Sequence, residues 1–337
     1  MFPRRFAVLV SCLLAGALAA AAPGQAADFK GKTVHIVVGF TPGGGYDANA
    51  RLVAAHLGKH LPGTPAVITQ NMPGAGSLTA VKYLDTTAPT DGTAITVFNP
   101  GLVTESIVST DTNNKEDFSR FAWVGSVTSD FRVCYGFGDK GVKSWDDMMS
   151  RKEFILGSTA KGAGNYINGA TLRIVFNAPV KQILGFPGSA EQRLAVERGE
   201  LDGDCGSISS VPPDWIRDKK AHPFVRFTDK RPPEIPQAAV YIGTKATSDA
   251  QRQLLGVLSA ADEIGRPFIM SRKVPADVVR AVRDAFNATL KDKDFLADAA
   301  RAQLPVNPLT GEETQAISVR MAGAPANVVA EARKIYE

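Results

Sequence analysis

Two glycine-rich segments, each following a short apolar run, are the parts of this sequence best suited to bind a ligand. Thr41–Asp47 (TPGGGYD) follows the β-branched run Val34–Val38, and Gly157–Gly164 (GSTAKGAG) follows Phe154–Leu156. Apolar residues at helical spacing come after each segment, so each is expected to lead into a helix whose first N–H groups lack intrahelical partners. Because glycine has no Cβ, an anion can approach those N–H groups closely. The pattern predicts an anion site made of backbone; for either segment alone, an ordinary tight turn between strand and helix is the alternative.

Polar side chains in and near these loops could add neutral hydrogen bonds or a counter-charge. The neutral candidates are Tyr46, Asn71, Ser158, Thr159 and Asn165, and the cationic candidates are Lys161 and Arg132. For each cation taken alone, a solvated surface position is the competing interpretation.

Catalysis, metal binding and nucleotide binding have little support in the sequence. The four histidines include His56 and His60, whose i, i+4 spacing occurs in zinc sites, but no glutamate lies between them to act as a base. No Gly-x-Ser-x-Gly motif is present, neither Cys134 nor Cys205 has a neighbouring base, and the glycine loops lack the Lys-Ser/Thr pair of a phosphate loop. We therefore expect no enzyme activity, no metal and no cofactor.

The first 27 residues have the features of a secretory signal peptide. Arg4 and Arg5 precede the apolar run Phe6–Ala22, and small residues around Ala26 provide a cleavage site. A lipoprotein site at Cys12 is a weaker alternative, because only a few apolar residues precede it. No later stretch is apolar for the roughly 20 residues that a membrane span needs. We expect a periplasmic protein whose signal peptide, residues 1–27, is cleaved near Ala26.

The net charge of the chain indicates which partners to expect, and its cysteines indicate whether a disulfide can form. The chain of 337 residues has 38 Lys and Arg against 34 Asp and Glu, and loss of Arg4 and Arg5 with the leader leaves a net charge of about +2. No basic cluster is interleaved with aromatic residues, so a nucleic-acid partner is not expected. An exported chain meets an oxidising environment, in which Cys134 and Cys205 could pair; two separate buried thiols are the alternative.

The same order of elements occurs twice along the mature chain. Each half contains a strand, a glycine loop, a helix, a second strand, a Pro-Gly turn, a second helix and a third strand; the two turns are Asn71–Gly76 and Phe186–Ser189. This repetition predicts two small parallel α/β domains whose loops face one cleft. Phe121–Val127 and Gln237–Ile242 are expected to cross between them as extended strands. The predicted limits are 28–124 with 240–337 for domain I and 125–239 for domain II.

Five sequence blocks together resemble the Bug-type receptors, the extracytoplasmic solute-binding proteins of tripartite tricarboxylate transporters. The blocks are VVGFTPGGGYDANAR, QNMPGAGSLTA, GSTAKGAGN, GFPGSAEQRLAVERGELD and RPFIMSRKVPADVVRAVRDAF, and they cover essentially the whole mature chain. The resemblance implies an α/β, two-domain periplasmic-binding-protein fold of type II (Venus-flytrap) with two crossing strands. It also implies a carboxylate held by main-chain amides and water at the first loop, and membrane permease subunits as partners.

The sequence departs from the family pattern at three places, so the acid itself is not identified. Tyr46 stands where a small hydroxyl residue is usual, Met72 where an arginine precedes Pro-Gly, and Gly185–Gly188 replaces a proline–tyrosine turn. From the loops and the resemblance together, the residues expected to bind the ligand are Thr41, Pro42, Gly43, Gly44, Gly45, Tyr46, Asp47, Asn71, Gly74, Ala75, Gly76, Ser158, Thr159, Lys161, Gly162, Gly164, Asn165, Phe186, Pro187, Gly188 and Ser207.

The expected function is capture of a small organic acid in the interdomain cleft by a monomer, and delivery of that acid to a tripartite tricarboxylate-type transporter. Two alternatives are an exported enzyme acting on a small carboxylic acid in the same cleft and a receptor that reports to a membrane sensor. Turnover of the bound acid would favour the enzyme. The sequence does not distinguish a transport receptor from a receptor that reports to a sensor.

Overall fold

Two six-stranded sheets form the framework of the described part of the chain. The computed structural model describes residues 27–111 and 115–336, so the predicted signal peptide, apart from Ala27, lies outside the described residues. The strands are β1 (Thr33–Val38), β2 (Ala66–Asn71), β3 (Ala94–Val97), β4 (Ala122–Ser126), β5 (Val133–Phe137), β6 (Phe154–Ser158), β7 (Val180–Leu184), β8 (Gly203–Asp204), β9 (Ala221–Arg226), β10 (Val240–Tyr241), β11 (Pro267–Met270) and β12 (Leu309–Thr310). The first sheet has the order β12-β4-β11-β3-β1-β2 and the second has the order β10-β9-β5-β8-β6-β7.

Helices pack against both sheets. They are α1 (Gly45–Leu57), α2 (Leu78–Thr86), α3 (Gly101–Val108), α4 (Trp145–Ser150), α5 (Gly164–Phe176), α6 (Ser189–Glu197), α7 (Pro213–Arg217), α8 (Asp249–Ile264), α9 (Ala276–Thr289), α10 (Lys293–Arg301), α11 (Gly311–Ala322) and α12 (Ala326–Tyr336). In α1 the buried residues Ala50, Val53 and Leu57 recur at helical spacing, which explains why this segment is a helix that packs on β1 and β2. None of the helices in the described ranges is long and apolar enough to cross a membrane.

The mixed α/β class is confirmed, but the sheets are not purely parallel as expected from the sequence. β1 pairs in parallel with β2 and β3, and β6 pairs in parallel with β7 and β8. In contrast, β11 runs antiparallel to β3 and β4, and β5 runs antiparallel to β8 and β9. β5 and β11 each follow a passage between the sheets, so each enters its sheet from the other one and runs opposite to its neighbours. The short β12 also runs antiparallel to β4, although it follows no passage.

The chain passes between the sheets along two adjacent segments. Phe121–Val127 contains β4, an inner strand of the first sheet. The first passage to the second sheet begins after this strand. The expectation for Gln237–Ile242 is wrong: only Val240–Tyr241 is a strand, and it pairs with β9 inside the second sheet. The return passage follows α8 instead, where Arg266 N donates to the Thr128 carbonyl at 3.0 Å. The domain limits given above stay a prediction.

The second sheet carries a disulfide between Cys134 and Cys205. Cys134 belongs to β5 and Cys205 follows β8, its antiparallel neighbour, and both side chains are completely buried in the apolar core beside Phe154 and Phe224. The structure therefore contains the Cys134–Cys205 disulfide, which is one of the two possibilities that the sequence leaves open.

Candidate functional site

The carboxyl ends of strands from both sheets surround one small cavity, of about 50 Å³. Its wall is formed by Phe40, Gly44, Gly45, Tyr46, Asn99, Arg132, Thr159, Ala163, Gly164, Asn165, Ser189, Gln192, Asp204, Gly206, Ser207, Ser210 and Arg266. The first sheet contributes the loops after β1 and β3, and the second sheet contributes those after β6, β7 and β8. Such a position, at the ends of parallel strands, is where open α/β sheets bind ligands.

The loop after β1 is held in place from behind by a buried carboxylate. Asp47 Oδ2 accepts a hydrogen bond from Gly43 N at 2.9 Å and another from Arg51 Nε at 2.8 Å, while Asn71 Nδ2 donates to Asp47 Oδ1 at 2.9 Å and to the Phe40 carbonyl at 2.8 Å. Burial opposes ionisation of Asp47, but these hydrogen bonds outweigh it and lower its pKa. Gly43 has a φ of +85°, which the turn requires. Asp47 and Asn71 therefore shape the loop and are not part of the cavity wall.

Three helix N-termini meet at the cavity without a side-chain cap. The N-cap residues of α1, α5 and α6 are Gly44, Ala163 and Gly188, and none of them makes a side-chain hydrogen bond to its helix. Of the other helices, α4, α8, α10 and α11 are capped by Ser144, Ser248, Asp292 and Thr310, whereas α2, α3, α7 and α9 also lack a side-chain cap. Each uncapped N-terminus presents unpaired N–H groups and the positive end of a helix dipole.

The N-termini of α1 and α6 are close to each other across the cleft, and Arg132 lies against the N-terminus of α5. A Cβ added to Gly44 would lie 2.7 Å from Ser189 Oγ, and one added to Gly45 would lie 2.8 Å from Ser210 Oγ. A Cβ at Gly164 would overlap the guanidinium group of Arg132. Glycine at positions 44 and 45 therefore permits the close approach of the two halves, and glycine at position 164 permits the approach of Arg132 to α5. A larger residue at any of these positions would enter the cavity or displace its walls.

Two buried arginines lie on the same wall. Arg132, 5% exposed, contacts Asp262 Oδ1 through Nε at 2.6 Å and Asp130 Oδ2 through Nη2 at 2.8 Å. Arg266, 1% exposed, lies over the ring of Tyr46 at 4.1 Å, and its Nη2 donates to Ser209 Oγ at 2.7 Å. Both cations are thus held in fixed positions by partners behind the cavity.

The pKa values of the two carboxylates in this cluster, Asp130 and Asp262, are shifted in opposite directions. Burial raises the pKa of Asp262 to about 7, although Arg132 acts to lower it. For Asp130 burial has the same tendency, but the neighbouring Arg132 and Arg266 outweigh it and lower the pKa. The two arginines therefore favour an ionised Asp130 behind the cavity, whereas burial opposes the ionisation of Asp262.

Three buried polar atoms on the cavity wall have no hydrogen-bond partner among residues 27–111 and 115–336: Thr159 Oγ1, Gln192 Nε2 and Arg266 Nε. Leaving a buried polar atom unpaired costs about 1–3 kcal/mol. Such atoms are expected where a ligand, or water that accompanies it, completes the hydrogen bonds.

Of the residues expected to bind the ligand, one group does line this cavity: Gly44, Gly45, Tyr46, Thr159, Gly164, Asn165 and Ser207. A second group, Gly74, Ala75, Gly76, Phe186 and Pro187, lines an adjoining pocket that shares Phe40 and Thr159 with the first. Tyr46 lies with its ring stacked on Phe40 at 4.8 Å.

The other residues expected to bind the ligand are not in the walls of these two pockets. Thr41 Oγ1 donates to Glu191 Oε2 at 2.8 Å, the Gly43 carbonyl accepts from Arg193 Nη2 at 2.9 Å, and Ser158 Oγ accepts from Gln182 Nε2 at 3.0 Å. The Gly162 carbonyl accepts from Asn99 Nδ2, and Gly188 packs against Thr41. The remaining two, Pro42 and Lys161, are exposed and are not among the residues of the cavity wall.

Several residues of the wall are absent from the set expected from sequence. Arg266, Asp204, Gln192 and Ser189 are the most polar of them, with Asn99 and Ser210. One signal for Arg266 does exist in the sequence, since it is the only charged residue in the run Ile264–Met270. The others lie beside the recognised loops, and only the fold brings them to the cavity.

His56 and His60 belong to a contact between helices elsewhere. His56 Nε2 lies 2.9 Å from Asp298 Oδ2, and His60 Nε2 lies 2.9 Å from Asp292 Oδ2, which joins α1 to α10. His56 is 8% exposed. No group of His, Cys, Asp and Glu suited to a metal ion occurs in the described ranges.

Comparison with known proteins gives one sequence relative and a set of similar structures. No family model matches the chain. A UPF0065 protein from the gbd 5′ region of Cupriavidus necator is 33% identical over 99 residues, which is 29% of this chain and 30% of that protein. The chain therefore matches less than a third of the length of this relative.

Solved structures match over nearly the whole chain. The periplasmic binding protein BugD has a TM-score of 0.74 and 19% identity, and the match covers 90% of this chain and 97% of BugD. Rpa4515 of R. palustris, with adipate, has a TM-score of 0.71 and 18% identity over 91% of this chain and 99% of that one. MatC from Rhodopseudomonas palustris, with bound malate, has a TM-score of 0.69 and 18% identity over 90% and 99%. The chain has the fold of these periplasmic binding proteins, and its resemblance to the Bug-type receptors is confirmed at the level of the fold.

Proposed function

We propose that this chain is a Bug-type periplasmic receptor that binds a small organic acid through its carboxylate and delivers the acid to a tripartite tricarboxylate-type membrane transporter. The observation that carries the proposal is the meeting of three uncapped helix N-termini at a cavity with two buried arginines. The bound structures of MatC with malate and Rpa4515 with adipate support the same ligand class.

The carboxylate is held by groups that the fold has already positioned. Each helix N-terminus stabilises an anion by about 0.3–1 kcal/mol when exposed and up to about 2 kcal/mol in a partly buried site. Hydrogen bonds from N–H groups to a charged acceptor contribute roughly 1.5–3 kcal/mol each. Because Asp47 and Asn71 hold the first loop from behind, little conformational freedom is lost when the acid binds.

Closure of the two halves over the acid uses contacts that cross the cleft. Arg193 Nη2 of α6 donates to the Gly43 carbonyl, and Thr41 Oγ1 donates to Glu191 Oε2 of the same helix. The two adjacent passages between the sheets form the hinge in this proposal; they are joined by hydrogen bonds from Arg266 N to the Thr128 carbonyl and from Val127 N to the Arg266 carbonyl.

The test is calorimetric titration of the mature chain, residues 28–337, with a panel of di- and tricarboxylates and aromatic acids. Each acid is paired with its neutral amide, which has nearly the same shape but no charge. We expect micromolar or tighter binding of at least one acid and at least hundredfold weaker binding of its amide. Equal binding of acid and amide would contradict carboxylate recognition, and chemical conversion of the recovered acid would favour an exported enzyme. Delivery is tested separately, by uptake into vesicles that contain the permease subunits.

A further inference from the structure

Asp204 is a buried carboxylate on the cavity wall that no neighbouring cation neutralises by direct contact. It is 6% exposed, and it ends β8 directly opposite Tyr135 of β5. Its Oδ1 accepts a hydrogen bond from Cys205 N at 2.9 Å. Within the part of the chain that the structure describes, Oδ2 accepts no hydrogen bond and makes no ion pair.

The two arginines that act electrostatically on Asp204, Arg132 and Arg193, make direct contacts with other partners. Arg132 contacts Asp130 and Asp262, as described above. Arg193 donates from Nη1 to the Ser210 carbonyl and from Nη2 to the Gly43 carbonyl, both at 2.9 Å. Both cations act on Asp204 only through space, and burial dominates, so that the pKa of Asp204 is raised to about 6. The side chain is therefore a buried acceptor without a cationic contact.

The local backbone leaves the unpaired oxygen accessible to the cavity. A Cβ at Gly206 would lie 2.5 Å from Oδ2, so a side chain at this position would cover that oxygen. The disulfide at Cys205 anchors the next residue in the core on the other face of the strand, which fixes the direction of Asp204. Gly206 and Asp204 both belong to the cavity wall.

We propose that Asp204 selects an acid that carries a hydrogen-bond donor, a hydroxyl or an ammonium group, in addition to the carboxylate held at the helix N-termini. This inference rests on the proposed function and adds a substrate class to it. A plain carboxylic acid leaves Oδ2 unpaired, and a second carboxylate near it would repel the charge of Asp204. A donor satisfies the oxygen, and a charge-assisted hydrogen bond of this kind changes affinity by at least tenfold.

The first arm of the test uses the unaltered mature chain and matched acids. Calorimetry compares succinate with malate and aspartate, glutarate with 2-hydroxyglutarate and glutamate, and 3-phenylpropionate with phenyllactate and phenylalanine. Within at least one series, the hydroxy or amino acid is expected to bind at least tenfold more tightly than its parent, and the two derivatives distinguish the hydroxyl from the ammonium group. Equal affinity within every series that binds overturns the role of Asp204 and leaves carboxylate binding intact, whereas no binding in any series overturns both proposals.

The second arm tests whether Asp204 causes the preference for acids that carry a hydrogen-bond donor. Asp204→Leu removes the acceptor and is expected to bring the ratio of affinities near one, whereas the affinity for the parent acid stays the same or rises. Asp204→Asn keeps an acceptor without charge, so it is expected to lose more affinity for the amino acid than for the hydroxy acid. The matched control is Asp139→Asn, an exposed position in the loop after β5, which should leave the ratio unchanged. A preference that survives in Asp204→Leu, folded by circular dichroism, overturns the assignment.

Discussion

Replacement of Gly44 by valine tests whether backbone amides at the start of α1 hold the carboxylate. Gly44 is the N-cap residue of α1, with φ of −88° and ψ of 171°. This is extended backbone that a β-branched residue adopts readily, so the change adds no backbone strain, unlike a change at Gly43. Its Cβ, however, would lie 2.7 Å from Ser189 Oγ. The valine therefore occupies the space between two helix N-termini, where it blocks the acid or displaces Ser189.

The expected effect on affinity is large. An acid kept away from the N-terminus of α1 loses at least two charge-assisted hydrogen bonds of roughly 1.5–3 kcal/mol each, which corresponds to a hundredfold or greater loss of affinity. Lys161→Ala should have a smaller effect, because Lys161 is an exposed cation and exposed charges are strongly screened by water.

The assay is calorimetric titration with the tightest acid found for the unaltered chain, with circular dichroism and thermal unfolding as checks of folding. Gly256→Val is the matched control, since Gly256 is exposed in α8 and an added Cβ there would contact nothing within 4 Å. This control should bind normally. If Gly44→Val binds within about threefold of the unaltered chain while Lys161→Ala abolishes binding, the site depends on a side-chain cation and the reasoning is wrong.

Three further predictions concern stability, closure and pH. Replacement of both Cys134 and Cys205 by alanine should lower the free energy of unfolding in urea by roughly 2–4 kcal/mol, and two free thiols in the unreduced, unfolded chain would contradict the disulfide. Arg193→Met should weaken acid binding by about tenfold, because the contact with the Gly43 carbonyl across the cleft is lost. Small-angle scattering should show that the acid compacts the unaltered chain more than this variant. Equal compaction would argue against a role of Arg193 in closure. Since burial raises the pKa of Asp204 to about 6, the folded state binds protons more tightly than the unfolded state between about pH 4 and 6. The stability that Asp204 contributes should therefore fall as pH rises through this range, and Asp204→Asn should remove that part of the pH dependence; an unchanged profile would contradict it.

The sequence was sufficient to predict the local turns of the site. Val34–Val38 and Thr41–Asp47 carry enough information to predict a buried strand, a glycine turn and a helix, because each depends only on neighbouring residues. Gly44 and Gly45 accordingly lie on the cavity wall. The same local information does not distinguish a residue that contacts a ligand from one that supports the loop, which is why Asp47 and Asn71 were expected in the site and lie behind it.

Long-range pairing explains the remaining differences. Gln237–Ile242 has the composition of a strand. Its pairing with β9 depends on the packing of the second sheet, which the segment itself does not encode. Arg266 and Asp204 are distant in sequence from the first glycine loop and reach the cavity only because the two sheets face each other. Their burial and their partners depend on this packing, so neither could be derived from residue spacing.

The most direct test of the central claim is a crystal structure of the mature chain with its acid bound. The account predicts that the carboxylate oxygens lie in the cleft within roughly 2.7–3.2 Å of N–H groups, or of water bound to them, at the first turns of α1, α5 or α6. A carboxylate bound outside this cavity, or held only by the side chain of Lys161, would contradict it.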